Sequence, residues 1–130
     1  MSNAFSDWDI TFKQGKTGED LVLKVLTDKD LEIKTDYVYA TSGNLYVEYQ
    51  CWNNTQGKMI PSGIETTKSD YYCFVIPKGG RPPVILTVPT QLVKKLVKDC
   101  ATAEMNDGAN PSKGYLLKVS QVFGAVLEAA

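Results

Sequence analysis

The chain has 130 residues, 43% of them hydrophobic and 22% charged, with a net charge of −1 and no histidine. That length suits one domain, residues 1–130, with a core of its own, and the near-neutral charge confines any nucleic-acid contact to a local basic patch. The missing imidazole excludes Ser-His and Cys-His catalysis and histidine-ligated metal, which leaves carboxylate, lysine, tyrosine and oxygen-ligated metal for chemistry.

Three widely spaced cysteines, Cys51, Cys73 and Cys100, have no CxxC spacing. They argue against a disulfide framework or a thiolate zinc site. No apolar run approaches the ~20 residues that span a bilayer, and the N-terminus lacks a basic region followed by an apolar one. The expectation is an intracellular, cytoplasmic protein with no export signal and no membrane anchor.

Taken in order, Trp8, Ile10 and Phe12 alternate with Asp7, Asp9 and Thr11, the pattern of a short leading strand or an ordered arm. Thr17 followed by Asp20 looks like a capping box and predicts a helix of about three turns. Glu19 stands at i−3, i−4 and i−7 from Val22, Leu23 and Leu26. That spacing puts it on or beside the apolar stripe, where a carboxylate needs a partner; alternatively it is a first-turn acid that favours the helix dipole.

Residues 31–51, LEIKTDYVYATSGNLYVEYQC, carry the strongest pattern. Leu31, Ile33 and Thr35 alternate with Glu32, Lys34 and Asp36; Leu45, Val47, Tyr49 and Cys51 alternate with Tyr46, Glu48 and Gln50. Two strands joined by a turn at Thr41–Asn44 are expected to pair as a hairpin, with Asp36 and Glu48 on one face and Lys34 beside Asp36. Two converging carboxylates repel, and a hard divalent cation relieves that repulsion. On that reading, removing either one leaves the metal-free fold as stable or more stable. Half-buried antiparallel strands also carry charges on a wet face, and spacing alone does not separate the two readings.

Residues 52–64 are rich in Asn, Gly and Pro and read as a loop; residues 65–70 allow one helical turn. Tyr71–Ile76 is a continuous apolar run that suits a central strand. Val84–Val88 is a further strand, and Pro89-Thr90 opens a helix with Leu92, Val93, Leu96 and Val97 inward and Lys94, Lys95 and Lys98 outward. Residues 101–113 read as a long loop, 114–119 as a last strand, and Ser120 as the cap of a C-terminal helix.

A helix with an inward glutamate, a strand with lysine and aspartate, a strand with glutamate, a third strand, a helix and a strand follow one another. In that order, and in the segments GEDLVLKVL, LEIKTD, SGNLYVEYQ and PSGIETTKSDYYCFVI, the sequence resembles the PD-(D/E)XK nuclease superfamily over roughly residues 15–120. The likeness is to small phage-type and Holliday-junction-resolvase-like members. It implies an α/β fold with an αβββαβ restriction-endonuclease-like core, a mixed central sheet flanked by helices. It also implies hydrolysis of DNA phosphodiester bonds with Mg²⁺ or Mn²⁺, with DNA as partner and a homodimer suggested by the two strands of a duplex.

By matching positions, Glu19 looks like the helical acid, Asp36 like the metal-binding aspartate and Glu48 like the acid of the (D/E)-x-K pair. The implied metal ligands are then Asp36, Glu48 and Glu19, with the Tyr49 carbonyl. The sequence departs from the pattern at Gln50, which stands where the lysine belongs, and at Thr35, which stands where the proline belongs. Lys34 is placed to supply the missing cation, so Lys34 and Gln50 complete the candidate set. A second alignment takes Glu32-Ile33-Lys34 as the (D/E)-x-K, with Asp28 or Asp30 as the aspartate. Two other functions stay open: a nucleic-acid-binding module that does not cleave, and a small interaction protein whose acidic face is solvated.

Overall fold

A computed structural model describes residues 4–27, 31–106 and 110–129. Helix α1 (Ala4–Thr27) leads into strand β1 (Leu31–Thr35), a single helical turn α2 (Tyr39–Ser42), and the antiparallel strands β2 (Leu45–Asn53) and β3 (Lys58–Pro61). A 3-10 turn at Gly63–Glu65 precedes β4 (Tyr71–Ile76) and β5 (Val84–Pro89). Helix α3 (Thr90–Leu96) ends in a 3-10 turn at Val97–Asp99, and β6 (Ala101–Met105), β7 (Ser112–Leu117) and α4 (Val119–Ala129) complete the chain.

The fold is α/β, with two sheets. One is mixed, in the order β1-β4-β5, with β1 parallel and β5 antiparallel to β4; the other is antiparallel, in the order β3-β2-β7-β6. Parallel pairing needs a long crossover, and the chain from β1 to β4 makes it by way of β2 and β3. As its apolar run predicts, β4 is the central strand of its sheet, with Tyr72 and Phe74 fully buried. They meet Leu45 and Val47 of β2, Val93 and Val97 from α3 and the turn after it, Leu117 of β7 and Val122 of α4 in one core. No described helix is long and apolar enough to cross a membrane.

The expected hairpin of residues 31–51 does not form. Both strands exist, but β1 pairs with β4, whereas β2 pairs with β3 and β7. Of the residues read as its turn, Thr41 and Ser42 end α2 and Gly43 caps it, and the true hairpin is β2–β3, closed by Gly57 N–H on the Asn53 carbonyl and Gln56 N–H on Asn53 Oδ1. The segment read as a loop therefore holds β3, and residues 101–105 hold β6, whose small and polar residues suit an edge strand wet on one side.

Near the N-terminus, Trp8, Ile10 and Phe12 lie in α1 and not in a strand, and Thr17 lies inside that helix, not at its start. Alternation over five residues is a weak signal beside continuous helix propagation, which tolerates Gly15 and Gly18 at about 1 kcal/mol each. Leu21, Val22, Leu23 and Leu26 are all more than half exposed. Glu19 is exposed with them, so no buried stripe demands a partner for it. At the other end Ser120 is not the cap of α4; Gln121 Oε1 accepts the Lys118 N–H and does that work.

Gly63 sets how closely the turn after β3 approaches β2. Its φ is +53°, and a Cβ there would run into the backbone carbonyl of Glu48. Gly63→Ala should therefore destabilise by about 2–4 kcal/mol, read as a shift in the urea midpoint at unchanged slope. Gly124→Ala, on α4 with open space around it, should cost nothing.

Candidate functional site

The end of β1 and the starts of β2, β4 and β7 border a cleft of about 210 Å³ lined by Lys34, Asp36, Tyr46, Glu48, Tyr72 and Ser112, among others. Three of the residues singled out from the sequence, Lys34, Asp36 and Glu48, thus meet in one place although their strands belong to different sheets. Glu19 and Gln50 do not line the cleft. Asp28 and Asp30, the aspartates of the second alignment, lie outside the described residues.

Asp36 is 4% exposed. Its Oδ1 accepts the N–H groups of Val38 at 3.0 Å and Tyr39 at 3.1 Å, and its Oδ2 accepts the N–H of Tyr46 at 2.7 Å. The side chain caps α2 and fastens β1 to the first turn of β2. A carboxylate so placed is not on a solvated face, which removes the wet-face reading for Asp36. It is also structural: without it, three N–H donors lose their acceptor.

Glu48 is half-buried, and its Oε2 accepts the Ser62 hydroxyl at 2.9 Å. Two glycines make room around it, Gly63 against its carbonyl and Gly114 directly across the β2–β7 ladder. A side chain at Gly114 would collide with the Tyr46 ring, which lies over that backbone and hydrogen-bonds Ser112 Oγ at 2.8 Å. The Tyr49 carbonyl, an expected metal ligand, already accepts the Ser62 N–H at 2.9 Å.

A bulge between Glu48 and Gln50 changes the phase of β2. Glu48 pairs with Gly114, but Gln50 pairs with Lys113, the next residue on β7 and hence on the opposite face. Lys113 is ion-paired there with Glu104 at 3.5 Å. Gln50 is therefore turned away from the Glu48 carboxylate, a placement that strict alternation could not anticipate. Lys34 faces the cleft and holds Glu32 Oε1 at 3.1 Å, with both side chains about one-third exposed.

Tyr72 is the cleft residue that sequence reading missed, because Tyr71–Ile76 reads as plain apolar filling. Its ring is fully buried and packs on Phe74 at 5.0 Å between centroids, and its hydroxyl is buried with no hydrogen-bond partner among the described residues. Burial pushes the phenol well above its usual range, and the negative charges of Glu32, Glu48 and Asp36 push it further, so it stays protonated at neutral pH. A tyrosine inside a central strand always brings a hydroxyl to place; that was the available signal.

Among the described residues no group of three or more acidic, cysteine or histidine side chains is arranged to hold a metal ion. The cleft offers two carboxylates. Asp36 Oδ2 takes one N–H, and Glu48 Oε1 takes no hydrogen bond from the described residues. Mg²⁺ characteristically binds one or two carboxylates and completes its shell with water and substrate phosphate, so the donor set fits such an ion. No family model, curated protein or solved structure matches the chain.

Two expectations change with this geometry. Asp36→Asn, expected from charge repulsion to be neutral or stabilising, should instead cost about 2 kcal/mol, because an amide N–H₂ would face an N–H donor in place of an acceptor; thermal melting in metal-free buffer reads it. Gln50→Lys should add no cation to the cleft, so in a DNA-cleavage assay Lys34→Ala combined with Gln50→Lys should be no more active than Lys34→Ala alone.

Proposed function

We propose that the chain is a divalent-cation-dependent phosphodiesterase acting on DNA, with the Lys34–Asp36–Glu48 cleft as its active site. The observation that carries this reading is the convergence of those three side chains, from two sheets, on one small cleft. On this reading α1, the mixed sheet and α3 correspond to parts of a restriction-endonuclease-like core, with the acids brought together across a sheet junction instead of along a hairpin.

Each residue has a task that its surroundings permit. Glu48, with a free oxygen, and Asp36, with one acceptor site left on Oδ2, would hold Mg²⁺ or Mn²⁺. Such an ion would supply positive charge against the phosphate and lower the pKa of a water held there. Lys34 uses one of its three N–H donors on Glu32, which leaves two for a phosphate oxygen. Ser62 fixes the rotamer of Glu48 through its hydroxyl, and Gly114, opposite Glu48, leaves space for the Tyr46 ring. Glu19 and Gln50 have no part in it.

Melting with and without Mg²⁺ or Mn²⁺, followed by incubation with supercoiled, linear and branched DNA, tests the proposal. A cation-binding site raises the melting temperature by mass action, and a nuclease converts the DNA. A shift with intact DNA identifies a silent binding module; no shift and no cleavage identifies an interaction protein. Glu48→Gln keeps an acceptor for Ser62, so its stability should stay within about 0.5 kcal/mol of wild type. Its cleavage rate should fall roughly a hundredfold or more, measured as initial rates at fixed Mg²⁺.

A further inference from the structure

The Tyr72 hydroxyl has no place in the proposed chemistry so far, yet its surroundings are costly to maintain. It sits at the floor of the cleft on a fully buried ring. Phenylalanine would pack against Phe74 equally well without desolvating a hydroxyl, and a buried polar group with no partner costs free energy comparable to a lost hydrogen bond.

No described residue accepts from the Tyr72 hydroxyl, although Glu48 Oε1 and one acceptor site on Asp36 Oδ2 remain open. Asp36 receives Val38, Tyr39 and Tyr46 N–H; Glu48 Oε2 receives Ser62; Glu32, the cross-strand neighbour of Tyr72, holds Lys34. Of the two other phenols that line the cleft, Tyr46 is bonded to Ser112 and Tyr37 is largely exposed. The Tyr72 donor is therefore left for whatever enters. That group must present an acceptor oxygen, and the cleft of about 210 Å³ has room for a phosphate group. The carboxylate walls repel a free anion, so the oxygen arrives on a group whose charge is offset by Lys34 and by a bound cation, or which is held to the protein along a polymer.

We infer that Tyr72 donates a hydrogen bond to a non-bridging oxygen of the phosphodiester, making it a substrate-contacting residue of the cleft. The inference rests on the phosphodiesterase reading and adds to it a residue of a different kind, a neutral donor beneath the phosphate where Lys34 contributes charge.

Tyr72→Phe removes the oxygen and nothing else. Without ligand the variant should melt at or above the wild-type temperature, since an unpartnered hydroxyl has gone. Its affinity for a short fluorescein-labelled DNA duplex in Ca²⁺, read by anisotropy, should fall about tenfold, and kcat/KM in Mg²⁺ should fall at least as much. Equal affinity and equal kcat/KM in variant and wild type would overturn the inference and leave the phosphodiesterase reading standing. A ligand-free variant that melts well below wild type would also overturn it, by showing that the hydroxyl serves the fold. Wild-type protein that neither binds nor cuts DNA with any divalent cation sinks both together.

Discussion

The carboxylate of Asp36 is the joint on which both sheets turn. Its own N–H donates to the Val75 carbonyl of β4 at 2.8 Å, continuing the β1–β4 pairing by one residue, while its side chain gathers the N–H groups of Val38, Tyr39 and Tyr46. One residue is therefore bonded to the mixed sheet through its backbone and to the antiparallel sheet through its side chain. Hydrogen bonds to an ionised acceptor are the strong ones, and here they close α2 and fix where β2 begins. The chain leaving β1 is steered across to the second sheet and cannot fold back along the first. That steering leaves the edge of β4 open to β1.

The cleft follows from the joint. With Tyr46 anchored to Asp36, the face of β2 that carries Tyr46 and Glu48 is set toward Tyr72, and the other face, with Leu45 and Val47, is set into the core. Two glycines then decide its depth: Gly63 lets the turn after β3 close on the Glu48 backbone, and Gly114 gives the Tyr46 ring a flat floor. The bulge after Glu48 ends the arrangement. Beyond it Gln50 joins Lys113 on the far face, so the cleft receives one acid from β2 and no second polar side chain from position 50.

Much of this was legible where a pattern was local. The period of two over 31–35 and 45–51 gives both strands, the apolar run at 71–76 gives the central strand, and the 3.6-residue spacing of Leu92, Val93, Leu96 and Val97 gives the inward face of α3 and the turn that ends it. The pairing of the strands was not legible, because alternation specifies which face a residue takes and not which neighbour its strand finds. Hairpin pairing was the expectation for strands separated by a turn at Thr41–Asn44; the local competition from Asp36, which caps a helical turn in the same segment, decided otherwise. Lys34, Asp36 and Glu48 still came together, since both strands carry the pattern's polar face to the same junction. Gln50 did not, because a bulge is invisible to a period. Tyr72 was read as a hydrophobe because the strand around it is one.

Burial separates two readings that sequence leaves equal. A carboxylate on a solvated strand and a carboxylate in a site have the same spacing, but water satisfies the first and protein must satisfy the second. Asp36 answers that demand with three backbone donors and keeps one acceptor site; Glu48 answers half of it with Ser62; Tyr72 does not answer it at all. The polar groups are thus increasingly unsatisfied from the structural joint toward the floor of the cleft. A fold under selection for stability alone would show the reverse, with the most deeply buried hydroxyl best bonded or replaced by phenylalanine. On the proposed reading, that gradient is what a ligand entering the cleft, and not the joint, would complete.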